Sequence, residues 1–412
     1  MPSFSPIQLQ ALNAVEEWFK KLPKQVFKLM GYAGTGKTTL AKFLAEKTPG
    51  QVNFGAYTGK AASVMRQRGC IGAATIHSLM YLVKERSKQS LLELEEVLVA
   101  AKDRLEDLKE DPKADKGVKA RLEEQILEYE AKVAKERKLL SQPNFSINPD
   151  STLKYSDLII LDECSMIAEE MGQDLLSFGK PILVLGDPAQ LPPVFGQGYF
   201  TKGEADITLT EIHRQAEGNP LIQLATKVRN RQPLKAGVYG ESRVLDDGDK
   251  LGEDVKAFDQ ILVGKNATRH WVNKRMREIL GFKEWHPIPG DKLVCLRNNH
   301  ELGLLNGTLW QVLDIGDIGK HRSILTLKND EGDCITTEIH SAPFRGEEVP
   351  FYEKKEAEEF DYGYAITVHK AQGSQWNDVL LYDESFCFKD KRFNWLYTGI
   401  TRAANRVTIL PG

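Results

Sequence analysis

Val26-Phe27-Lys28-Leu29-Met30-Gly31-Tyr32-Ala33-Gly34-Thr35-Gly36-Lys37-Thr38 is the stretch on which the fold turns. A buried-strand apolar run stops at Gly31, and the following residues fit the spacing G-x-x-x-x-G-K-[ST], with Thr39 to Lys47 reading as helix beyond. Strand, glycine-rich loop and helix in that order make a phosphate cradle. The glycines let backbone N–H groups turn inward and the helix N-terminus adds its dipole, while Lys37 supplies a point charge and Thr38 a hydroxyl for Mg²⁺. Gly34, Thr35, Gly36, Lys37, Thr38 and Thr39 are therefore the candidate phosphate-binding residues.

Upstream, an amphipathic helix is expected from about Leu9 to Lys21. Downstream, Leu158-Ile159-Ile160-Leu161 runs into Asp162-Glu163, and Ile182-Leu183-Val184-Leu185 runs into Gly186-Asp187. Strands without polar alternation that end in glycine or carboxylate predict a parallel α/β sheet, buried on both faces, with ligands at the carboxyl ends. There Asp162 can hold the shell of a divalent cation and Glu163 can polarise an attacking water.

Between Tyr81 and Ser141 the composition shifts: fourteen basic and fifteen acidic residues fall between Lys84 and Lys138. Leu91, Leu94, Leu98, Ala101, Leu105 and Leu108 step by three and four, a heptad seam, and Val118, Leu122, Ile126, Tyr129, Val133 and Leu140 form a looser stripe beyond Asp111-Pro112. The pattern predicts an antiparallel helical hairpin, each arm roughly 35 to 40 Å long at 1.5 Å per residue. Its balanced charge offers no electrostatic reason to bind phosphates. From about Pro289 to Gly346 short alternating strands follow, Lys292 to Leu296, Thr308 to Ile315, Ser323 to Lys328 and Cys334 to Ile339, with turn signals at Asn306-Gly307 and Asn329-Asp330. They predict a small β-barrel insert.

At 412 residues the chain exceeds the usual single-domain size, and 55 basic against 58 acidic residues give a formal charge of -3. Nucleic acid would therefore have to be bound in a local groove rather than by bulk charge. Five dispersed cysteines without a C-x-x-C pair argue for reduced thiols and against a zinc ribbon. The opening MPSFSPIQLQ has no signal-peptide pattern, and no apolar run approaches the roughly 18 residues of a membrane span. A cytoplasmic protein that makes no use of a membrane is the expectation.

Asp162-Glu163-Cys164-Ser165-Met166, Gly186-Asp187-Pro188-Ala189-Gln190-Leu191-Pro192-Pro193, Thr367-Val368-His369-Lys370-Ala371-Gln372-Gly373-Ser374 and Tyr397-Thr398-Gly399-Ile400-Thr401-Arg402-Ala403 follow the phosphate loop in this order. The set resembles superfamily 1 helicases, within them the RecD/Dda-like branch that includes small bacteriophage helicases, and covers nearly the whole chain except the charged hairpin. That resemblance implies an α/β fold of two RecA-like P-loop domains, 1–80 with 142–205 and 206–288 with 347–412. The helical hairpin, 81–141, would interrupt the first and an SH3-like β insert, 289–346, the second. It implies ATP and Mg²⁺ as cofactors and, as partner, single-stranded DNA with its junctions to duplex. The expected setting is a bacterial cell or phage-infected host and the expected state a monomer.

Position by position, the resemblance implies that Gln8 reads adenine, with Gln10 a competing neighbour; an amide both donates and accepts. Gln190 would sense the γ-phosphate, and Arg214 and Arg402 would be arginine fingers from the second domain. Gly373 and Gln375 would meet the nucleotide; Gln375 stands where the family usually has glutamate, which implies weaker sugar contact. Thr58, Lys60, Thr75, His77 and Ser78 in the first domain, and Asn266, Thr268, Arg269, Thr367, His369 and Lys370 in the second, match segments that follow the DNA backbone. The hairpin lies where the family carries its strand-separating pin, so it would guide duplex, dock a protein partner or serve as a spacer. The leading expectation is an ATP-dependent helicase moving 5′ to 3′, the direction coming from the branch resemblance alone. The alternatives are a translocase that remodels protein–DNA complexes or RNA without processive unwinding, and an assembly component switched by ATP.

Overall fold

The fold, obtained as a computed structural model, is described for residues 4–84, 89–110, 115–140, 144–193, 196–211, 219–246, 251–299, 301–349 and 353–411. The chain opens with α1 (Pro6–Lys21), β1 (Val26–Gly31), α2 (Lys37–Lys47), β2 (Val52–Ala56), α3 (Gly59–Gln67), β3 (Ala74–Thr75) and α4 (Ile76–Met80). After these come β4 (Tyr81–Lys84), α5 (Gln89–Glu110), α6 (Lys116–Leu140) and β5 (Asn144–Ile147). The chain continues through β6 (Leu158–Asp162), α7 (Glu169–Ser177), β7 (Ile182–Gly186), β8 (Ile207–Leu209), α8 (Pro220–Arg229), β9 (Gly237–Tyr239) and β10 (Ser242–Val244). Next are β11 (Gln260–Val263), α9 (Asn266–Ile279), β12 (Lys292–Cys295), β13 (Leu309–Ile318), β14 (Arg322–Asn329) and β15 (Cys334–His340). The last are β16 (Phe360–Tyr362), β17 (Ala365–Thr367), β18 (Trp376–Asp383), α10 (Arg392–Ile400) and β19 (Ala403–Pro411).

The first sheet has the order β3-β2-β6-β7-β1-β8, and every pairing in it is parallel. Each residue of β6 and of β7 is buried, which is why these strands carry unbroken aliphatic runs. β8 pairs with β1 through Leu29 and Ile207, so the sheet extends past residue 205, where the sequence reading ends its first domain. Helix α1 shows how the local sequence serves this core. Ser5 caps it in a reciprocal capping box with Gln8, Pro6 fits the first turn, and Leu22 ends it in the left-handed region at φ 44°. Its buried stripe, Ala11, Leu12, Val15 and Trp18, packs in one cluster with Phe27, Leu29, Leu40 and Leu183.

A second sheet, β17-β11-β18-β19-β10-β9, is parallel except for the antiparallel edge pair β9 and β10. Helices α8 and α10 cover it, with Leu224, Val228, Trp395 and Ile400 packed in the cluster that holds Leu381 and Val407. A third sheet, β15-β14-β13-β12-β16, is antiparallel throughout. Its first four strands lie where the alternating pattern predicts them. The fifth, β16, enters from beyond the expected limit at 346 and pairs with β12. Trp310, Leu325 and Phe360 of this sheet share a core with Val272 and Met276 of α9. All five cysteines are free thiols. Among the described residues no helix is long and apolar enough to cross a membrane.

These elements form one compact unit, Met1–Met80, Asn148–Glu347 and Glu358–Gly412. The smaller unit comprises Tyr81–Ile147 and Glu348–Ala357. Within it β4 pairs antiparallel with β5, and α5 packs along α6. Leu91, Leu94 and Leu98 meet Val133, while Leu98, Ala101, Leu105 and Leu108 meet Leu122 and Ile126. The heptad seam is thus the packed face. Val118 departs from its expected stripe: it is exposed and belongs to neither cluster, because it sits in the first turn of α6. Glu95–Arg137 (2.6 Å) and Glu130–Lys102 (2.7 Å) bridge the arms at the surface.

Candidate functional site

In the first sheet β6, β7 and β1 are neighbours, so their carboxyl ends place Asp162-Glu163, Gly186-Asp187 and the phosphate loop side by side. The loop turns through Gly34 and Gly36, at φ 79° and 81°, a region that other residues enter at a cost of about 1–2 kcal/mol. Lys37 folds across it, with Nζ donating to the carbonyls of Gly31 (2.7 Å) and Tyr32 (3.1 Å). An ammonium has three donors, so one is left for a phosphate oxygen. Thr38 Oγ1 donates to Asp162 Oδ2 at 2.9 Å, and Asp162 Oδ1 accepts from the Glu163 amide at 2.8 Å. Hydroxyl and carboxylate thus stand together as two hard oxygen ligands, a set that fits Mg²⁺. Thr35 is buried, its hydroxyl on Tyr32 O (2.8 Å); Gly34 and Thr39 face solvent.

Glu163 has a left-handed backbone, φ 54° and ψ 40°, rare for a residue with a side chain and common where a site holds strain. Desolvation pushes its carboxyl pKa up, the nearby charge of Arg402 pulls it down, and Asp162, Lys37 and Asp187 act in alternating sense after these. A cation from each parallel sheet, Lys37 and Arg402, therefore acts on one carboxylate. Arg402 is buried, and its guanidinium donates to Thr398 O (3.1 Å), Ser374 O (3.2 Å) and Thr401 Oγ1 (3.3 Å). Gln190 is buried with Oε1 lacking a hydrogen-bond partner. Arg214 lies outside the described residues.

A cavity of about 120 Å³ opens between the phosphate loop and the second sheet, lined by Tyr32, Gly34, Arg229, Gln375, Tyr397 and Thr401. Gln375 faces it while Nε2 donates to Ala403 O at 3.4 Å. Gln8 is buried with both ends of its amide in use. Oε1 accepts from the Ser5 amide (2.9 Å) and Nε2 donates to Thr35 O (3.0 Å), tying α1 to the phosphate loop. Gln10 is exposed.

The residues expected along DNA fall at the carboxyl ends of one edge strand and its neighbour in each parallel sheet. In the first, β2 and β3 end together at Ala56 and Thr75; in the second, β11 and β17 end together at Val263 and Thr367. Thr58 caps α3, its hydroxyl accepting from the Ala61 amide at 3.2 Å, with Lys60 half-buried behind it. Thr75 is buried and bonded to Ser78 Oγ at 2.9 Å. Gly373, at φ 79°, brings the sets together: a Cβ there would lie 2.6 Å from Thr58 Oγ1. Asn266, in the first turn of α9, and Lys370 are exposed, and the Thr367 hydroxyl accepts from the Lys370 amide at 3.3 Å. His77 packs edge-on against Tyr57 and His369 lies tilted against Phe388; desolvation lowers both imidazole pKa values, that of His369 with help from Lys391. Neutral rings offer hydrogen bonds and stacking rather than charge. Thr268 donates to Glu384 Oε1 (2.6 Å). Arg269 is paired with Asp361 of β16 at 2.5 Å, both side chains nearly buried.

Several residues at this centre carry no assignment from the sequence. Tyr397 Oη donates to Asp187 Oδ2 (2.7 Å) and accepts from the Ala33 amide (3.0 Å). The Arg229 guanidinium lies 3.8 Å from the centre of the Tyr32 ring. Tyr397 sits inside a quoted motif, which is a signal of sorts; a lone arginine late in a helix gives none.

A phosphate loop, an adjoining Asp–Glu pair and an arginine from a second parallel sheet define a P-loop nucleotide-binding protein. Residues 6–249 match the family model described as an AAA domain, and residues 362–410 match a UvrD-like helicase C-terminal domain. The chain belongs to the AAA domain family. It is 30% identical over 283 residues to an ATP-dependent RecD2 DNA helicase of Deinococcus radiodurans, a match spanning 61% of this chain and 36% of that protein. The chain thus covers about a third of that relative's length. In fold it is similar to a Pif1 helicase from Bacteroides solved with ADP-AlF3 and single-stranded DNA, at TM-score 0.55 and 18% identity, covering 99% of this chain and 92% of that one. A Pif1 helicase from Candida albicans aligns over 100% and 94% at TM-score 0.51 and 17% identity.

Proposed function

We propose that this chain is an ATP-dependent DNA helicase that moves 5′ to 3′ along single-stranded DNA and unwinds duplex. The observation that carries the reading is the phosphate loop, with Thr38 bonded to Asp162 at 2.9 Å, tied to the second sheet through the Tyr397 hydroxyl on Ala33 and Asp187. The names of the similar proteins, an ATP-dependent DNA helicase and a Pif1 bound to single-stranded DNA, support the choice of substrate and track.

In this reading Lys37 and the loop amides bind the β- and γ-phosphates of ATP, and Thr38 and Asp162 hold Mg²⁺. When bound, the ion neutralises charge on the phosphates. Glu163 accepts a proton from the water that attacks the γ-phosphorus, and Gln190 orients the attack. The bond to the leaving ADP oxygen breaks as the new P–O bond forms, and Arg402 stabilises the charge spread over the transferring group. Arg214 is proposed for a second finger. Because Arg402 belongs to the second sheet, hydrolysis depends on how the two sheets approach. That dependence lets ATP drive steps along a strand held at the edge-strand ends, through Thr58, Lys60, Thr75, His77, Asn266, Thr367, His369 and Lys370.

The two motor domains of this reading are each built on one parallel sheet. The antiparallel sheet is assigned as an SH3-like enclosure of the strand, supported by Glu331 in its β14–β15 turn, which accepts from Ser63 (2.7 Å) and Gln67 (3.1 Å) of α3. The helical hairpin is assigned to guiding duplex or docking a partner protein, and the motor to acting as a monomer. The test is ATP turnover with and without single-stranded DNA. Stimulation of at least about tenfold is expected; absence of turnover in both would overturn the reading.

A further inference from the structure

Helix α10 grips the loop that follows β7 at four points. Asn394 Nδ2 donates to the carbonyls of Ala189 (3.0 Å) and Gln190 (3.2 Å), Thr398 Oγ1 accepts from the Leu191 amide (2.9 Å), and Tyr397 donates to Asp187 (2.7 Å). Gln372, also from the second sheet's side, adds a bond from Nε2 to Leu191 O (3.1 Å). The loop that carries Gln190 is therefore tied to the second sheet although its strand belongs to the first. Tyr397 alone among these makes a second connection, since its hydroxyl oxygen also accepts from the Ala33 amide in the phosphate loop (3.0 Å). The ring is 2% exposed, so the hydroxyl has no access to bulk water as a substitute partner.

We propose that Tyr397 is a positioning residue that couples the phosphate loop to the second sheet, its single hydroxyl joining Ala33, Asp187 and helix α10. A rearrangement of the loop amides around a nucleotide changes what Ala33 offers the hydroxyl. Asp187 and the Gln190 loop, held by the same helix, then shift with α10 rather than independently. The coupling rests on the proposed nucleotide site; its consequence for strand stimulation rests also on the helicase reading.

Tyr397→Phe removes only the hydroxyl and keeps the buried ring. The expected result is a folded protein whose affinity for a fluorescent ADP stays within about threefold of wild type while stimulation of turnover by single-stranded DNA falls at least about fivefold. Hydrogen exchange supplies a readout that a merely structural role would not move. ADP should alter the exchange of the peptide covering residues 392–400 in the wild type and leave it unaltered in Tyr397→Phe. Asn394→Ala, which loosens the same loop and leaves Ala33 untouched, should lower stimulation by a smaller factor and keep the ADP-dependent exchange. Wild-type stimulation together with a wild-type exchange response in Tyr397→Phe would overturn the proposal. So would a parallel loss of affinity and turnover, or a Tyr397→Phe chain that fails to fold while Asn394→Ala behaves as wild type. A wild-type protein with no strand stimulation would sink the helicase reading instead, and the exchange experiment would still decide the coupling.

Discussion

The two parallel sheets of this protein have the same number of strands and unlike chemistry. The first, parallel in every pairing, ends its three central strands in a glycine loop and three carboxylates, Asp162, Glu163 and Asp187. The second, closed on one side by the antiparallel pair β9 and β10, contributes Arg402, Gln375 and the hydroxyl of Tyr397. The first holds the phosphate loop and the carboxylates proposed for metal and water, the second the proposed arginine finger and the ties that link it to the first. The lesson is that neither sheet has a complete site, so turnover reports on how they meet.

The largest effect should come from the first sheet. Lys37→Ala is expected to reduce ATP turnover by about a thousandfold or more with thermal stability retained, since its ammonium bonds only carbonyls of its own loop; unchanged turnover would rule out the phosphate site. Arg402→Ala tests the second sheet. Loss of an arginine finger costs about 10³ or more in kcat, and nucleotide affinity should change far less. Equal losses in both would mean that Arg402 holds ground-state nucleotide rather than stabilising charge on the transferring phosphoryl group.

Glu163→Gln follows, with turnover lower by roughly 10²–10⁴ as for other general bases. Its carboxyl titrates above the ordinary value of 4.5, so turnover should rise with pH through a point above 4.5. The sign for stability is opposite. A carboxylate with a raised folded-state pKa is least unfavourable when protonated, and its cost grows as pH rises through that pKa. Glu163→Gln should therefore raise the melting temperature at pH 7.5, by an increment that shrinks toward pH 4.5. Removing Lys84 to Lys138 comes next: ATP turnover stimulated by single strands should remain within about twofold while duplex unwinding falls, if the hairpin guides duplex. Arg137→Ala should be smallest, since exposed ion pairs contribute about 0–1 kcal/mol. A large shift in melting would mean that the Glu95–Arg137 bridge, not the leucine seam, holds the arms.

Both catalytic strands of the first sheet, the seam from Leu91 to Leu108 and four strands of the antiparallel sheet can be read from local pattern, because their signals are unbroken apolar runs, heptads and alternation. β16 cannot. Phe360-Asp361-Tyr362 is three residues after an acidic stretch, and its place beside β12 depends on long-range pairing. The Arg269–Asp361 pair is hidden with it, because Asp361 lies on this strand. The phosphate loop and the Asp162-Glu163 pair are legible because spacing encodes their chemistry. Tyr397, Asn394 and Arg229 are not, because a side chain that joins two sheets shows its purpose only when both are folded.

Unwinding of duplexes carrying a 5′ or a 3′ single-stranded tail, in the presence of ATP and Mg²⁺, decides whether the two sheets together drive a motor along DNA. Strand separation of the 5′-tailed duplex is expected, dependent on ATP and lost in Arg402→Ala. Separation of only the 3′-tailed duplex, or of neither while ATP is hydrolysed, would contradict it.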